Sequence, residues 1–220
     1  MSITMKKIIQ RTFLKYDHLK KRIQSKKLKN KNITIISNNC IGGFVYQDFG
    51  LKYNSPTIGL QFSQSDFVKF LKSFDKYLSK DIIEIKINDQ VQKEFNILGG
   101  GNIDFPIGKL DDITIFFQHY KTFNEAIIKW EERKKRINFN QLFFVFIGYD
   151  NTPIEIFQEF NSLPYKNKIL LTNSNREIPN AIALNFKNKL FYNRNDKLYP
   201  KKFYEKFNFY KWITKNINNK

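Results

Sequence analysis

Short runs rich in β-branched and aromatic residues alternate with amphipathic segments along most of the chain. Runs that are apolar at nearly every position predict strands buried on both faces, which are typical of parallel sheets covered by helices. The alternation therefore predicts an α/β fold with a mostly parallel central sheet, helices on both faces and a Rossmann-like three-layer arrangement. The predicted strands are 33–37, 57–62, 82–87, 113–117, 142–147, 168–172 and 181–186. The predicted helices are 41–50, 64–79, 122–137, 153–161 and 202–217.

Capping patterns support three of these helices. Residues 122–125 (TFNE) and 152–155 (TPIE) place a threonine three residues before a glutamate, and 63–66 (SQSD) is a weaker pattern of this kind. Residues 88–112 lack clear periodicity and contain three consecutive glycines, so a loop or a small hairpin is expected there.

The length and composition favour one domain. The chain has 220 residues, of which 41% are hydrophobic, so it can bury a sizeable core, and no linker divides it. We expect a basic N-terminal helix within residues 1–32, followed by one α/β domain over 33–220. The helical pattern spans 5–29, and its cationic residues surround a ragged apolar face. Such a helix can pack on the domain, which we favour, or make peripheral contact with an anionic membrane.

The net charge of +18 reflects an abundance of lysine spread along the chain. We attribute most of it to a solvated surface, with a contribution from attraction to anionic lipid or sugar donors. No helix-turn-helix spacing or RNA-binding aromatic signature is present, so nucleic acid is not expected as a partner. One cysteine, no signal peptide and no long apolar run predict a cytoplasmic protein, at the inner face of the membrane if 5–29 binds lipid.

Polar residues follow several predicted strands. Because ligands bind outside the carboxyl ends of parallel strands, we expect these residues to meet at one edge of the sheet. They include Asn38, Asn39, Cys40, Ser63, Ser65, Gln118, His119, Tyr120 and Asp150.

Cys40 precedes a predicted helix, where free backbone N–H groups and the helix dipole would stabilise a thiolate and lower its pKa. We expect Cys40 to act as a nucleophile and His119 as its base, with Asp150 or Gln118 orienting the imidazole. The competing interpretation makes Cys40 a small buried side chain and His119 a hydrogen-bonded residue near the next helix. Asp150 can equally cap the helix that begins near Pro153.

Two features next to Cys40 suggest a binding surface. Gly42 and Gly43 would let a substrate approach the backbone, and the amides of Ile41 and Gly42 would bind an oxyanion. Asn38 and Asn39 are expected to bind substrate there, together with Ser63, Ser65, Gln118 and Tyr120.

Arg133 falls on the core-facing stripe of its predicted helix. A guanidinium in that position needs an acidic partner, or it contacts the phosphate of a sugar or acyl donor. One cysteine and two distant histidines do not make a zinc site, and no Walker A loop is present. We therefore expect no metal and no tightly bound cofactor.

Three stretches carry a resemblance to a known family: "IISNNCIGGFVYQDFGLKYNSPTIGL" (35–60), "PIGKLDDITIFFQHYKTFNEAIIKWEERKKRI" (106–137) and "SLPYKNKI" (162–169). They resemble the bacterial domain-of-unknown-function family 1919, whose members are often labelled exopolysaccharide biosynthesis proteins. Many members have a tryptophan after the cysteine where this chain has Ile41. The order of strand, Ser-Asn-Asn-Cys, helix and a strand ending in histidine is also loosely similar to a family described as papain-like cysteine peptidases.

The resemblance implies a setting in capsule or exopolysaccharide synthesis. In that setting we expect a cysteine-dependent acyltransferase that modifies a sugar, or a nucleotide- or lipid-linked sugar, with acyl-CoA as a donor. The alternatives are a metal-independent glycosyltransferase that uses a nucleotide-sugar donor, and a non-catalytic accessory protein of the same machinery.

Overall fold

The computed structural model describes residues 23–28, 31–173, 177–184 and 199–217. The strands are β1 (Thr34–Ser37), β2 (Ile82–Glu84), β3 (Ile107–Leu110), β4 (Ile113–Phe116), β5 (Leu142–Gly148), β6 (Lys168–Thr172) and β7 (Ala181–Ala183). The helices are α1 (Ile41–Asp48), α2 (Gln64–Lys72), α3 (Phe74–Leu78), α4 (Asp89–Ile97), α5 (Phe123–Lys134), α6 (Ile154–Ser162), α7 (Tyr199–Lys206) and α8 (Phe209–Ile217).

Four strands form a parallel sheet in the order β1-β5-β6-β7. Ile35 lies opposite Phe143 in the ladder between β1 and β5, and Val145 lies opposite Ile169 between β5 and β6. Alternate residues of these strands enter two separate hydrophobic cores. The predicted α/β class with a mostly parallel sheet and helices on both faces is therefore confirmed.

Each face of the sheet has its own helical cover. On one face Phe144 and Phe146 of β5 pack in a core with side chains of α2, α3, α5 and α6. On the other face Val145 and Ile147 pack in a core with side chains of α1, α4, α7 and α8. Burial of large apolar side chains on both faces explains why the central strands read as continuous apolar runs.

Three predicted strands do not join the parallel sheet. The segments predicted at 82–87 and 113–117 form an antiparallel sheet in the order β2-β3-β4, and 57–62 contributes only an isolated bridge. Leu110 pairs with Ile113, so β3 and β4 are joined by the two-residue turn Asp111-Asp112, with Asp111 at φ 55°. A two-residue connection can join only antiparallel strands, so the turn excludes β4 from a parallel arrangement with β3.

Several predicted helices and loops differ in their bounds or caps from those in the structure. The expected loop at 88–112 contains α4, whose first turn is capped because the Asn88 side chain accepts from the Val91 N–H. Thr122 and Ser63 cap α5 and α2 as predicted. Thr152 does not cap α6, because its hydroxyl accepts from the N–H of Tyr149 in the preceding turn. The segments predicted as single helices at 64–79 and 202–217 each contain two helices.

Most of the predicted basic helix at 5–29 lies outside the described residues. Its described part, 23–28, is helical and contacts the domain: Leu28 is buried, and the Ser25 hydroxyl donates to the carbonyl of Phe49. The division into 1–32 and 33–220 stays a prediction. Within the part of the chain that the structure describes, no helix is both long and apolar enough to cross a bilayer.

Candidate functional site

The thiol of Cys40 meets the imidazole of His119 at the surface of the domain. The distance from Sγ to Nε2 is 3.0 Å, across 79 positions of sequence. Cys40 follows β1 and is the residue before the first turn of α1, while His119 lies in the turn after β4. Cys40 is half-buried and His119 is exposed, so the pair is open to solvent from the imidazole side.

The two residues meet although β1 and β4 belong to different sheets. The segment 59–62 lies between them and bonds to both sides. Its Gln61 exchanges two backbone hydrogen bonds with Phe116 of β4, at 2.8 and 2.9 Å, and its Phe62 N–H donates to the carbonyl of Asn38 at 3.0 Å. The expectation that both strands end on one edge of a single sheet is wrong, because this segment brings the second sheet alongside the first.

Gly59 holds the histidine side of the pair. Its carbonyl accepts the backbone N–H of His119 at 3.1 Å. Its φ is +80°, and a Cβ at this position would lie 3.1 Å from the ring of Tyr120 and 3.4 Å from the Cβ of His119. Both the left-handed backbone and the close approach require glycine.

The pKa of the Cys40 thiol is raised to about 12, chiefly because burial disfavours the charged thiolate. The prediction that a helix start would lower this pKa is therefore wrong. The first amides of α1 are already occupied: the N–H of Ile41 donates to Asn39 Oδ1 at 3.1 Å, and that of Gly42 donates to Ser37 Oγ at 3.3 Å. These are also the amides that were expected to bind an oxyanion.

Backbone hydrogen bonding at Cys40 itself acts in the opposite direction and lowers the thiol pKa. Its own N–H is thus the nearest candidate for stabilising negative charge beside Sγ. With the pKa so far above neutrality, the proton resides on sulfur, and the thiol can donate to Nε2 in the tautomer that leaves this nitrogen unprotonated. The arrangement can carry out general-base activation, in which His119 takes the proton as Cys40 attacks.

Asn38 and Asn39, predicted to bind substrate, have their side chains engaged inside the protein. The Asn38 amide donates to the carbonyl of Ile147 at 3.1 Å and accepts its N–H at 3.0 Å, which extends the pairing of β1 and β5 by one residue. The Asn39 amide donates to the Tyr149 hydroxyl at 3.4 Å, while its oxygen accepts the N–H of Ile41. A binding role for either side chain stays a prediction.

The two glycines after Cys40 have different surroundings. A Cβ on Gly42 would lie 2.8 Å from Ser37 Oγ, so this glycine is required for packing of α1 against β1. A Cβ on Gly43 would meet nothing within 4 Å. Of the predicted pair, Gly43 is therefore the one with open space beside it.

The remaining polar residues are dispersed. The Ser63 hydroxyl accepts the Asp66 N–H at 3.1 Å as the cap of α2 and lies 3.1 Å from that of Ser65, which is exposed. The Gln118 amide donates to Gln61 Oε1 at 2.7 Å. Asp150 is exposed, and its carboxylate forms no hydrogen bond or ion pair with another described residue. Its orienting role stays a prediction.

Tyr120 and Arg133 form a second group next to the pair. Arg133 Nη1 donates to the carbonyl of Ile58 at 2.9 Å and to the Tyr120 hydroxyl at 2.5 Å. Its guanidinium lies over the rings of Tyr53 and Tyr120, at 5.5 and 6.0 Å from their centroids. The acidic partner considered for Arg133 is not found among the described residues.

Sequence reasoning missed the residues that assemble the site. Gly59 is one, and Thr57 is another, since its hydroxyl accepts the N–H of Ser37 at 3.1 Å and so holds the segment before Gly59 against β1. The signal available was the stretch Ser55-Pro-Thr-Ile-Gly59, whose serine, proline and glycine are typical of a turn rather than a strand. In the described ranges no group of three or more His, Cys, Asp or Glu side chains is placed to hold a metal ion.

Comparisons with known proteins agree with the resemblance of the three stretches. A protein of Haemophilus influenzae (strain ATCC 51907 / DSM 11121 / KW20 / Rd), described as "Uncharacterized protein", is 34% identical over 151 residues, which cover 69% of this chain and 66% of the relative. The match thus spans just under two thirds of that relative. The family described as "Domain of unknown function (DUF1919)" matches residues 11–214, nearly the whole chain. The chain belongs to the DUF1919 family.

Proposed function

We propose that this protein is a cysteine-dependent acyltransferase that modifies a sugar in capsule or exopolysaccharide biosynthesis. The observation that carries the chemistry is the 3.0 Å contact between Cys40 Sγ and His119 Nε2. A nucleophile within hydrogen-bond reach of a base, on an accessible surface, is the arrangement that covalent acyl transfer requires. The sugar and its biosynthetic setting come from the resemblance alone.

In the first half-reaction, His119 Nε2 takes the thiol proton as Cys40 Sγ attacks the carbonyl carbon of an acyl donor. The carbonyl oxygen becomes an oxyanion, for which the N–H of Cys40 is the nearest donor. Collapse of the tetrahedral intermediate expels the donor's leaving group, which takes the proton from His119. The product is a thioester on Cys40.

In the second half-reaction, a sugar hydroxyl gives its proton to His119 and attacks the thioester carbonyl. The bond from carbon to sulfur breaks, the thiolate recovers the proton from His119, and the acylated sugar leaves. The first half-reaction thus leaves a thioester beside a neutral imidazole, and the second restores the neutral thiol, which is the state that the raised thiol pKa favours.

Intact-mass spectrometry tests this proposal. Incubation with an acyl-CoA should add one acyl mass, and peptide mapping should place it on Cys40. We expect no adduct with Cys40→Ala, and about 10²- to 10⁴-fold slower acylation with His119→Ala, since that is the usual contribution of a general base.

Two results would contradict the proposal. Full activity of Cys40→Ser with a nucleotide-sugar would support the glycosyltransferase alternative. Absence of any turnover, together with liposome binding that depends on residues 5–29, would support an accessory role.

A further inference from the structure

Arg133 is a fixed cation that forms no ion pair with an acidic residue in the described part of the chain. Two hydrogen bonds from Nη1, to Ile58 and Tyr120, hold its guanidinium, and the rings of Tyr53 and Tyr120 lie against it. None of the ion pairs formed among the described residues includes an arginine. Nε and Nη2 of Arg133 have no hydrogen-bond partner in this part of the chain and are not among its fully buried atoms. These two donors are therefore available to a ligand.

The guanidinium and the imidazole are held by neighbouring residues of the same two turns. Ile58 bonds to Arg133, and the next residue, Gly59, bonds to His119. His119 is likewise followed directly by Tyr120, whose hydroxyl bonds to Arg133. Adjacent α-carbons are about 3.8 Å apart, so the two groups share one supporting framework.

A second arginine strengthens the positive field on this side of the domain. The Tyr46 phenol interacts electrostatically with both Arg133 and Arg136. The Nε of Arg136 is buried and has no hydrogen-bond partner among the described residues. The exposed carboxylate of Glu132 interacts electrostatically with both arginines but forms its ion pair with Lys129. Two guanidinium groups in one region, neither in an ion pair with a described carboxylate, favour occupation by an anion.

We propose that Arg133 binds a phosphate group of the substrate that reacts at Cys40, so that this substrate is a phosphate-bearing molecule rather than a neutral sugar. A guanidinium with Nε and Nη2 free to donate matches the geometry of phosphate oxygens, and Tyr53, which is 38% exposed, offers an aromatic surface beside it. The inference rests on the proposed function for the identity of the reacting site. Binding of the phosphate, however, does not require turnover.

The phosphate has two sources under the proposed chemistry. It can belong to the acyl donor, as in coenzyme A, or to a sugar linked to a nucleotide. Isothermal titration calorimetry of the full chain with coenzyme A, UDP and inorganic pyrophosphate separates them. Preferential binding of coenzyme A assigns Arg133 to the donor, and preferential binding of UDP assigns it to a nucleotide-linked sugar.

Arg133→Gln should weaken binding of the preferred probe about ten- to a hundred-fold, as expected for loss of charge-assisted hydrogen bonds. Lys135→Gln is the matched control, because Lys135 lies at the end of the same helix, is exposed and loses the same charge. We expect its effect to stay below about three-fold, as for an exposed and screened charge. Arg133→Lys keeps the charge but lacks the planar guanidinium, so its affinity for the probe should lie between those of Arg133→Gln and Lys135→Gln. This variant provides a test if Arg133→Gln fails to fold.

The proposal is overturned if wild-type protein binds none of the three probes, or if Arg133→Gln and Lys135→Gln bind them equally well. Cys40→Ala separates this inference from the proposed function. If Cys40→Ala remains active while phosphate binding still depends on Arg133, only the acyl-transfer chemistry fails. If Cys40 is acylated while Arg133→Gln leaves binding unchanged, only the phosphate site fails.

Discussion

The carbonyl of Gly59 accepts the backbone N–H of His119 at 3.1 Å, and this bond connects the turn after β4 to the segment that lies beside β1. Gly59 is itself at φ +80°, with the Tyr120 ring 3.1 Å from the position of a Cβ. The orientation of the imidazole toward Cys40 therefore depends on a backbone conformation that only glycine adopts without strain.

Gly59→Ala should destabilise the fold and should also weaken the contact between Cys40 and His119. Backbone strain of this kind costs about 1–3 kcal/mol, which in a chain of this size lowers Tm by roughly 2–4 °C for each kcal/mol. Thermal unfolding followed by circular dichroism measures the first effect, and the rate of Cys40 acylation measures the second. Gly101→Ala is the control, since a Cβ there meets nothing within 4 Å. Equal Tm values for the two variants would contradict the role given to Gly59.

Alkylation of Cys40 should remain slow at neutral pH and keep accelerating above pH 9. The thiolate is the reactive species, and burial raises the pKa of this thiol to about 12. Iodoacetamide labelling between pH 6 and 10.5, followed by mass spectrometry, gives the profile. In guanidinium chloride the same cysteine should label with a midpoint near 8.5, the value for an exposed thiol. A plateau below pH 8 in the folded protein would instead indicate a preformed thiolate.

The raised pKa of the Cys40 thiol also predicts how the stability of the protein depends on pH. Above the pKa of the unfolded chain, the native protein still holds a proton that the unfolded chain has released. The contribution of Cys40 to stability is therefore complete below about pH 8.5 and is lost as the pH rises toward 12. Between pH 8 and pH 10, the free energy of unfolding measured in urea should fall less for Cys40→Ser than for wild type. A loss of the same size in both proteins would rule out a contribution from this thiol.

Gly42 and Gly43 are adjacent in α1 and should respond oppositely to alanine. A Cβ on Gly42 would lie 2.8 Å from Ser37 Oγ, which is itself held by bonds to the Asn39 carbonyl and the Gly42 N–H. We expect a cost of about 1–3 kcal/mol for Gly42→Ala, as for overpacking in a core. Gly43→Ala should gain up to about 1 kcal/mol through lower chain entropy in the unfolded state. Free energies of unfolding in urea distinguish these outcomes, and equal values would contradict the packing described.

Strands β5 and β6 were predictable because continuous apolar runs are expected where helices cover both faces of a sheet. The run predicted at 142–147 corresponds to β5 (Leu142–Gly148), and that at 168–172 coincides with β6. The run at 82–87 was assigned to the wrong sheet, because periodicity does not reveal which sheet a strand joins. In the structure β2 is an edge strand of the smaller sheet, and the side chain of Ile83 is 69% exposed.

The proximity of Cys40 and His119 was predicted, but for a reason that the structure corrects. The prediction assumed that β1 and β4 end at one edge of one sheet, whereas segment 59–62 joins two sheets through backbone hydrogen bonds. An irregular segment that pairs only through its backbone groups has no characteristic pattern of apolar and polar side chains, so the sequence does not reveal it. The thiol pKa was mispredicted for a related reason, because the side chains of Ser37 and Asn39 occupy amides that looked free in the sequence.

Asn38 offers the sharpest test of how the site is attached to the sheet. Asn38→Ala would leave both the N–H and the carbonyl of buried Ile147 without their partner, at a cost of roughly 2–4 kcal/mol. Asn161→Ala is the control, since it removes one exposed hydrogen bond to the Pro179 carbonyl and should change stability by less than about 1 kcal/mol. Urea unfolding measures both. Because the Asn38 carbonyl also accepts the N–H of Phe62, hydrogen exchange of Phe62 and Ile147 should rise together in Asn38→Ala. Unchanged exchange at both amides would show that the side chain of Asn38 does not hold Cys40 to β5.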